Sequence, residues 1–144
     1  MLSDLNPDNA PALNYLGYML ADRNIKLPEA LALINKALNL EPNSGAYLDS
    51  LGWVYFKLNR LPEAEENLRQ ALLLTPRDAT VHDHMGDVLL RESKVKEAIA
   101  QWQLSLQEFE KSLPADVDPA DVAKVRSKLE GAKVRLAKEN TPNK

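Results

Sequence analysis

Apolar residues along most of this chain recur every three to four positions, the spacing of helices that bury one face. The pattern predicts seven helices, at residues 9–23, 27–40, 44–58, 61–74, 78–92, 95–112 and 119–138. Pro28 and Pro62 are placed to begin helices, because proline fits the first turn. Pro42 and Pro76 are placed just after helix ends, because proline cannot donate the next backbone hydrogen bond. The chain is therefore expected to be all-α.

The first six predicted helices contain one pattern three times. The middle copy has Leu48, Leu51, Gly52, Tyr55, Ala64, Leu68, Ala71 and Pro76. The earlier copy has Leu13, Leu16, Gly17, Leu20, Ala30, Ile34, Ala37 and Pro42. The later copy has His82, Met85, Gly86, Leu89, Ala98, Trp102 and Ser105. The glycines are 35 and then 34 residues apart, a period typical of stacked helical hairpins.

The repeated glycines lie in the middle of predicted helices, where glycine costs about 1 kcal/mol relative to alanine. Because this destabilising residue recurs at Gly17, Gly52 and Gly86, we expect a steric reason for it, namely the close approach of a second helix. The second helices carry small residues at one shared position, which are Ala30, Ala64 and Ala98. Each hairpin is thus expected to close at a glycine–alanine crossing.

These positions resemble the tetratricopeptide repeat (TPR) family over roughly residues 7–113. The resemblance implies a right-handed all-α solenoid of three helix hairpins, followed by a C-terminal capping helix. Two departures are local. The first copy has one extra residue between its helices, within 23–27. The third has no proline at Glu110, so its second helix is expected to run on toward Leu113.

The repeats predict where the chain divides. The expected segments are the end of a truncated preceding repeat at 1–8, TPR units at 9–43, 44–77 and 78–113, a linker at 114–118, the capping helix at 119–139 and a disordered tail at 140–144. Segment 1–8 is interpreted in this way because Leu5-Asn6-Pro7 has the form of Leu40-Glu41-Pro42, which closes a second helix. This interpretation makes the chain the C-terminal end of a longer repeat protein.

The last predicted helix has one narrow apolar stripe and many basic residues. The stripe consists of Val122, Val125, Leu129, Ala132 and Leu136. The basic residues are Lys124, Arg126, Lys128, Lys133, Arg135 and Lys138. This helix either caps the last repeat or docks on a partner as a basic helix or short coiled coil. Capping is favoured, because repeat arrays need a polar end.

The family resemblance places ligand binding on the concave surface lined by the first helix of each hairpin. The matching positions are Asn14, Tyr18, Asp22, Asp49, Trp53, Lys57, Asp83, Asp87 and Arg91. This face is acidic with two aromatic residues, so the expected partner is a protein or peptide with basic and apolar groups. Trp53 is the expected anchor, because tryptophan is enriched among residues that dominate binding. Alternatively, Trp53 packs against a neighbouring repeat and the aspartates are solvated charges.

Other classes of function are disfavoured by the sequence. The net charge is −3 and the basic residues concentrate in the last helix, so nucleic-acid binding is not expected. His82 and His84 are two apart on a helix and point to nearly opposite faces, so they cannot share a metal ion. No phosphate loop or nucleophile motif occurs, no cysteine is present, and no apolar run is long enough to span a bilayer. We therefore expect no catalytic residue, metal, cofactor or transmembrane segment.

Two functions are compatible with this reading. The first is a non-catalytic scaffold or adaptor that binds a partner's peptide or helix in the acidic–aromatic groove. The alternative is a self-assembly module that forms a homo-oligomer by stacking its exposed ends, through Leu2, Leu5 or the Val122–Leu136 stripe. The repeats also resemble the C-terminal repeats of bacterial multi-TPR proteins, many of them envelope lipoproteins. That resemblance implies a periplasmic or envelope location, and the cytoplasm is the alternative.

Overall fold

A computed structural model describes residues 8–141 of the chain. Within that range it contains seven α-helices and no strand. They are α1 Ala10–Asp22, α2 Leu27–Leu40, α3 Gly45–Lys57, α4 Leu61–Leu74, α5 Ala79–Arg91, α6 Val95–Lys111 and α7 Pro119–Glu139. Every predicted helix is present with each end within one residue of its expected position, and the all-α fold is confirmed. The truncated repeat proposed for 1–8 lies outside the described residues except for Asp8, as do residues 142–144 of the proposed tail.

First and second helices begin in different ways. Asn9, Ser44 and Asp78 cap the first helices, and each side chain accepts a hydrogen bond from a backbone N–H of the first turn. Two of the second helices, α2 and α4, instead have proline at the start and no side-chain cap. Helix α6 has 17 residues where α2 and α4 have 14, so the predicted run-on is confirmed.

The turns inside the hairpins share a left-handed residue. Asn24, Asn59 and Ser93 have φ angles of 57°, 59° and 64°. Asparagine tolerates this conformation better than most residues, whereas serine has no special advantage there. The extra residue of the first turn is accommodated by Lys26, which also has a positive φ of 49°.

The predicted close approach at the three glycines is confirmed. A Cβ built on Gly17 would lie 2.6 Å from the Ile34 side chain, and one on Gly52 would lie 2.7 Å from Leu68. One on Gly86 would lie 2.5 Å from the indole of Trp102. The alanines on the opposite helices are completely buried, and they are Ala30, Ala64 and Ala98. Each glycine therefore admits a fully buried apolar side chain of its partner helix.

The chain divides into two units, one ending at Pro76 and one beginning at Arg77. In the first unit, α1 pairs with α2, α3 pairs with α4, and α3 packs against both α1 and α2. In the second unit, α5 pairs with α6 and α7 packs against α6. Val125, Leu129 and Ala132 of α7 are buried, which is the arrangement expected of a capping helix. The centre of the apolar stripe is thereby covered and is not free for stacking on another copy.

Candidate functional site

Two of the predicted groove residues in the first unit are joined directly. Helices α1 and α3 lie against each other, and α1 carries Asn14, Tyr18 and Asp22. The indole Nε1–H of Trp53 on α3 donates to Asp22 Oδ1 at 3.2 Å. Asp22 is exposed and the indole ring of Trp53 is largely buried, so this hydrogen bond connects a solvated carboxylate with an interior side chain. The sequence predicted the shared face but not this bond.

Trp53 is only 8% exposed. Its ring stacks on Phe56, with centroids 4.9 Å apart and planes 19° from parallel. The Lys57 ammonium lies 5.1 Å from the centroid of the Trp53 ring, within the range of a cation–π contact. Most of this side chain therefore stabilises the fold, and only its edge is left for a partner.

The other predicted residues of the first unit differ in accessibility. Asn14 and Tyr18 are half-buried, and Asp49 is buried with 8% of its surface exposed. The side-chain oxygen Oδ1 of Asn14 is buried without a hydrogen-bond partner among the described residues.

The second unit places a lysine between two predicted groove aspartates. The Nζ of Lys128 on α7 lies 2.9 Å from Asp83 Oδ1 and 3.0 Å from the carboxylate of Asp87. Asp83 Oδ1 also accepts from Trp102 Nε1–H at 2.9 Å. Helix α7 thus reaches past α6 to the acidic face of α5. The sequence identified Lys128 as one of the basic residues of α7 but gave no reason to select it from the others. Its position beside the buried Leu129 is the signal that could have done so.

The charges of this cluster are unequal, with two carboxylates around one ammonium. Burial raises the pKa of Asp87, and the attraction of Lys128 does not cancel this effect because Asp83 repels a second negative charge. Burial also lowers the pKa of Lys128, but attraction to Asp87 and Asp83 outweighs it, so the pKa of Lys128 is raised. The acidic face of α5 is therefore a site that holds an ammonium group firmly.

The remaining polar residues of α5 have separate roles. Arg91, at the end of α5, is exposed. His82 is buried, and its Nδ1 lies 2.7 Å from Gln101 Oε1 on α6, as expected for a packed, hydrogen-bonded histidine. Residues 8–141 contain no group of three His, Cys, Asp or Glu side chains that could hold a metal ion. None of the helices in that range is long and apolar enough to cross a membrane.

Comparison with known sequences identifies the repeat. The profile of the family described as Tetratricopeptide repeat matches residues 45–78. A TPR repeat-containing protein of Pseudomonas aeruginosa is 53% identical over 55 residues, which are 38% of this chain and 9% of that protein. This chain therefore spans only a small part of the relative that it matches.

Comparison with solved structures identifies the same fold. The TPR domain of Sgt2 from Aspergillus fumigatus matches with a TM-score of 0.77 at 18% identity, covering 94% of this chain and 85% of that one. The first TPR of Spaghetti, bound to the HSP90 peptide SRMEEVD, matches with a TM-score of 0.73 at 17% identity, covering 92% and 97%. Residues 45–78 therefore match a tetratricopeptide repeat, and the chain has the fold of solved TPR domains.

Proposed function

We propose that this chain is a non-catalytic scaffold that binds a partner protein through the first-helix faces of its repeats. The ligand is a peptide or helix that presents lysine or arginine together with apolar side chains. The solved structure of Spaghetti supports the general mode, because a TPR domain of the same fold is bound to a peptide. An envelope location is part of the proposal only through the resemblance to bacterial multi-repeat proteins.

The contact made by Lys128 is the observation that carries this proposal. An ammonium borne on a helix is held by Asp83 and Asp87, both on the face of α5 that was predicted to bind a ligand. Charge-assisted hydrogen bonds of this kind are roughly twice as strong as neutral ones. Lys128 is thus an internal example of the chemistry that the acidic first-helix faces accept.

The first unit offers the same chemistry on α1 and α3. Asp22 supplies an exposed carboxylate, and the half-buried Tyr18 supplies aromatic surface one turn earlier on the same helix. The peptide bound to Spaghetti, SRMEEVD, is acidic at its end. A ligand of that sign is disfavoured beside Asp22 and Asp49, so the ligand proposed for this chain has the opposite charge.

The proposal is tested by capturing partners from a bacterial lysate with tagged full-length chain. The test variant is Tyr18→Ala/Asp22→Asn, which removes an aromatic ring and a charge but keeps a side-chain oxygen for Trp53. The control is Tyr15→Ala/Glu29→Gln, which removes the same groups from exposed positions elsewhere on α1 and α2. Circular dichroism and urea unfolding establish that both variants are folded.

We expect the control to retain the partner and the test variant to lose it. A partner bound equally by both variants contradicts the proposal, because the ligand would then lie off the α1 face. Loss of the partner in both variants contradicts it as well, since the effect would not depend on the predicted face.

A further inference from the structure

Helix α7 has a second face, turned away from α6, with a glycine in its middle. A Cβ built on Gly131 meets no atom within 4 Å, whereas at Gly17, Gly52 and Gly86 it meets a side chain of a crossing helix at under 3 Å. Glycine weakens the interior of a helix, and at Gly17, Gly52 and Gly86 the crossing helix explains why glycine is present. Within residues 8–141, no helix crosses α7 at Gly131.

The surface around Gly131 is a shallow depression of about 400 Å³. Its lining consists of Gly131, Val134, Arg135, Lys138 and Glu139. Val134 is 54% exposed, so an apolar side chain lies beside the uncovered glycine. The depression therefore combines an uncovered glycine and an exposed valine with three charged side chains, a surface on which a side chain of another helix can pack.

The charge around this depression is positive. Helix α7 carries six Lys or Arg residues against three carboxylates. Lys124 and Lys138 lie seven residues before and after Gly131, and so on its side of the helix. Lys128 is engaged by Asp83 and Asp87, but Lys124 and Lys138 are exposed. A helix that covers this face is complementary in charge if it is acidic.

We propose that this face of α7, centred on Gly131, docks an acidic amphipathic helix of a partner protein. An apolar side chain of that helix enters over Gly131 beside Val134, as Leu68 does over Gly52. Its carboxylates pair with Lys124 and Lys138 on either side. The scaffold then has two contact surfaces of opposite sign, an acidic one on its first helices and a basic one on its last helix.

The chain itself supplies a matched pair of probe peptides. A peptide with the sequence of α4, Leu61–Leu74, has three glutamates against one arginine and carries the glycine-filling Leu68. A peptide with the sequence of α2, Leu27–Leu40, has one glutamate against one lysine and carries the glycine-filling Ile34. Each is titrated into ¹⁵N-labelled full-length chain and followed by amide chemical shifts.

The α4 peptide is expected to shift the amide resonances of Gly131 and Val134 saturably, and the α2 peptide to bind about tenfold more weakly. Gly131→Gln fills the depression and should weaken binding of the α4 peptide by about tenfold or more. Ala137→Gln, exposed on the same helix but outside the depression, should leave the affinity unchanged. Since a Cβ built on Gly131 meets no neighbouring atom of residues 8–141 within 4 Å, the Gly131→Gln chain should also unfold at the same or a higher temperature.

Three results overturn the proposal. They are an absence of shifts on α7 at millimolar α4 peptide, equal affinities for the two peptides, and an unchanged affinity in Gly131→Gln. Sedimentation velocity of the chain alone identifies a competing occupant. Self-association that disappears in Gly131→Gln assigns the face to a second copy of the chain and overturns the partner helix.

Discussion

Lys128 of α7 lies 2.9 Å from Asp83 of α5, 45 residues earlier in the chain. This contact joins the capping helix to the face on which the family resemblance places ligand binding. It links stability to function, because the group that closes the array also occupies the acidic pair.

Lys128→Met is expected to destabilise the chain by about 1–3 kcal/mol, since it leaves Asp83 and Asp87 facing each other without a cation. The value is below that of a deeply buried pair because the Lys128 side chain is 34% exposed. Urea unfolding at neutral pH measures the effect. Lys124→Met, at an exposed position of the same helix, serves as the control and should change stability by under about 0.5 kcal/mol. Equal losses in both variants would show that the ion pair contributes nothing specific.

The raised pKa of Asp87 predicts how stability depends on pH. A carboxyl group with a higher pKa in the folded state binds more protons there, so its contribution to stability falls as pH rises through that pKa. Asp87→Asn removes this titration. The stability of the variant minus that of the unaltered chain should therefore increase as the pH is raised from about 4 to about 7. A difference that stays constant or runs in the opposite direction contradicts the cause given for the shift.

Trp53→Ala is expected to cost about 3–5 kcal/mol, because the ring is 8% exposed and stacks on Phe56. Trp53→Phe keeps much of the volume but loses the hydrogen bond to Asp22, and should cost less than half as much. Thermal and urea unfolding of both variants measure the difference. If Trp53→Ala unfolds like the unaltered chain, Trp53 is a surface anchor and its placement in the core is wrong.

Ser93→Asn is expected to stabilise the chain by about 0.5–1 kcal/mol, because Ser93 has a φ of 64° and asparagine tolerates this region better. Asn59→Ser makes the reverse change at the matching turn of the second hairpin and should lose a similar amount. Ser93 Oγ also accepts from Arg135 at 3.2 Å, an exposed contact of small value. Changes of the same sign in both variants would contradict the conformational explanation.

Gly86→Ala and Gly131→Ala are expected to change stability in opposite directions. The first places a methyl group 2.5 Å from Trp102 and should cost about 1–3 kcal/mol. The second meets no atom within 4 Å and should add about 0.5–1 kcal/mol through helix propensity. Urea midpoints of the two variants test this. Destabilisation by Gly131→Ala would mean that this backbone is already in close contact with something.

The helices could be predicted from the sequence because they depend on residues that are close together in the chain. Apolar spacing, prolines such as Pro28 and Pro62, and the repeated glycines each determine structure within one hairpin. The crossings at Gly17, Gly52 and Gly86 were predictable for the same reason, since one phase was repeated three times.

The details of the candidate site depend on longer-range contacts. The spacing of Asp22 and Trp53 placed both on one predicted face but did not show that the indole donates to the carboxylate or that the ring is buried. In the same way, six basic residues on α7 are equivalent by composition. Only the packing of α7 on α6 selects Lys128 for Asp83 and Asp87.

Site-specific photo-crosslinking tests whether the first-helix face binds the partner. A photoreactive phenylalanine is placed at Tyr18 on the predicted face or at Tyr15, which is 71% exposed on another face of α1. Position 18 is expected to crosslink a partner through a segment containing lysine or arginine and apolar residues, whereas position 15 is not expected to crosslink it. Capture of the same partner at position 15 but not at position 18 would contradict binding through the first-helix face.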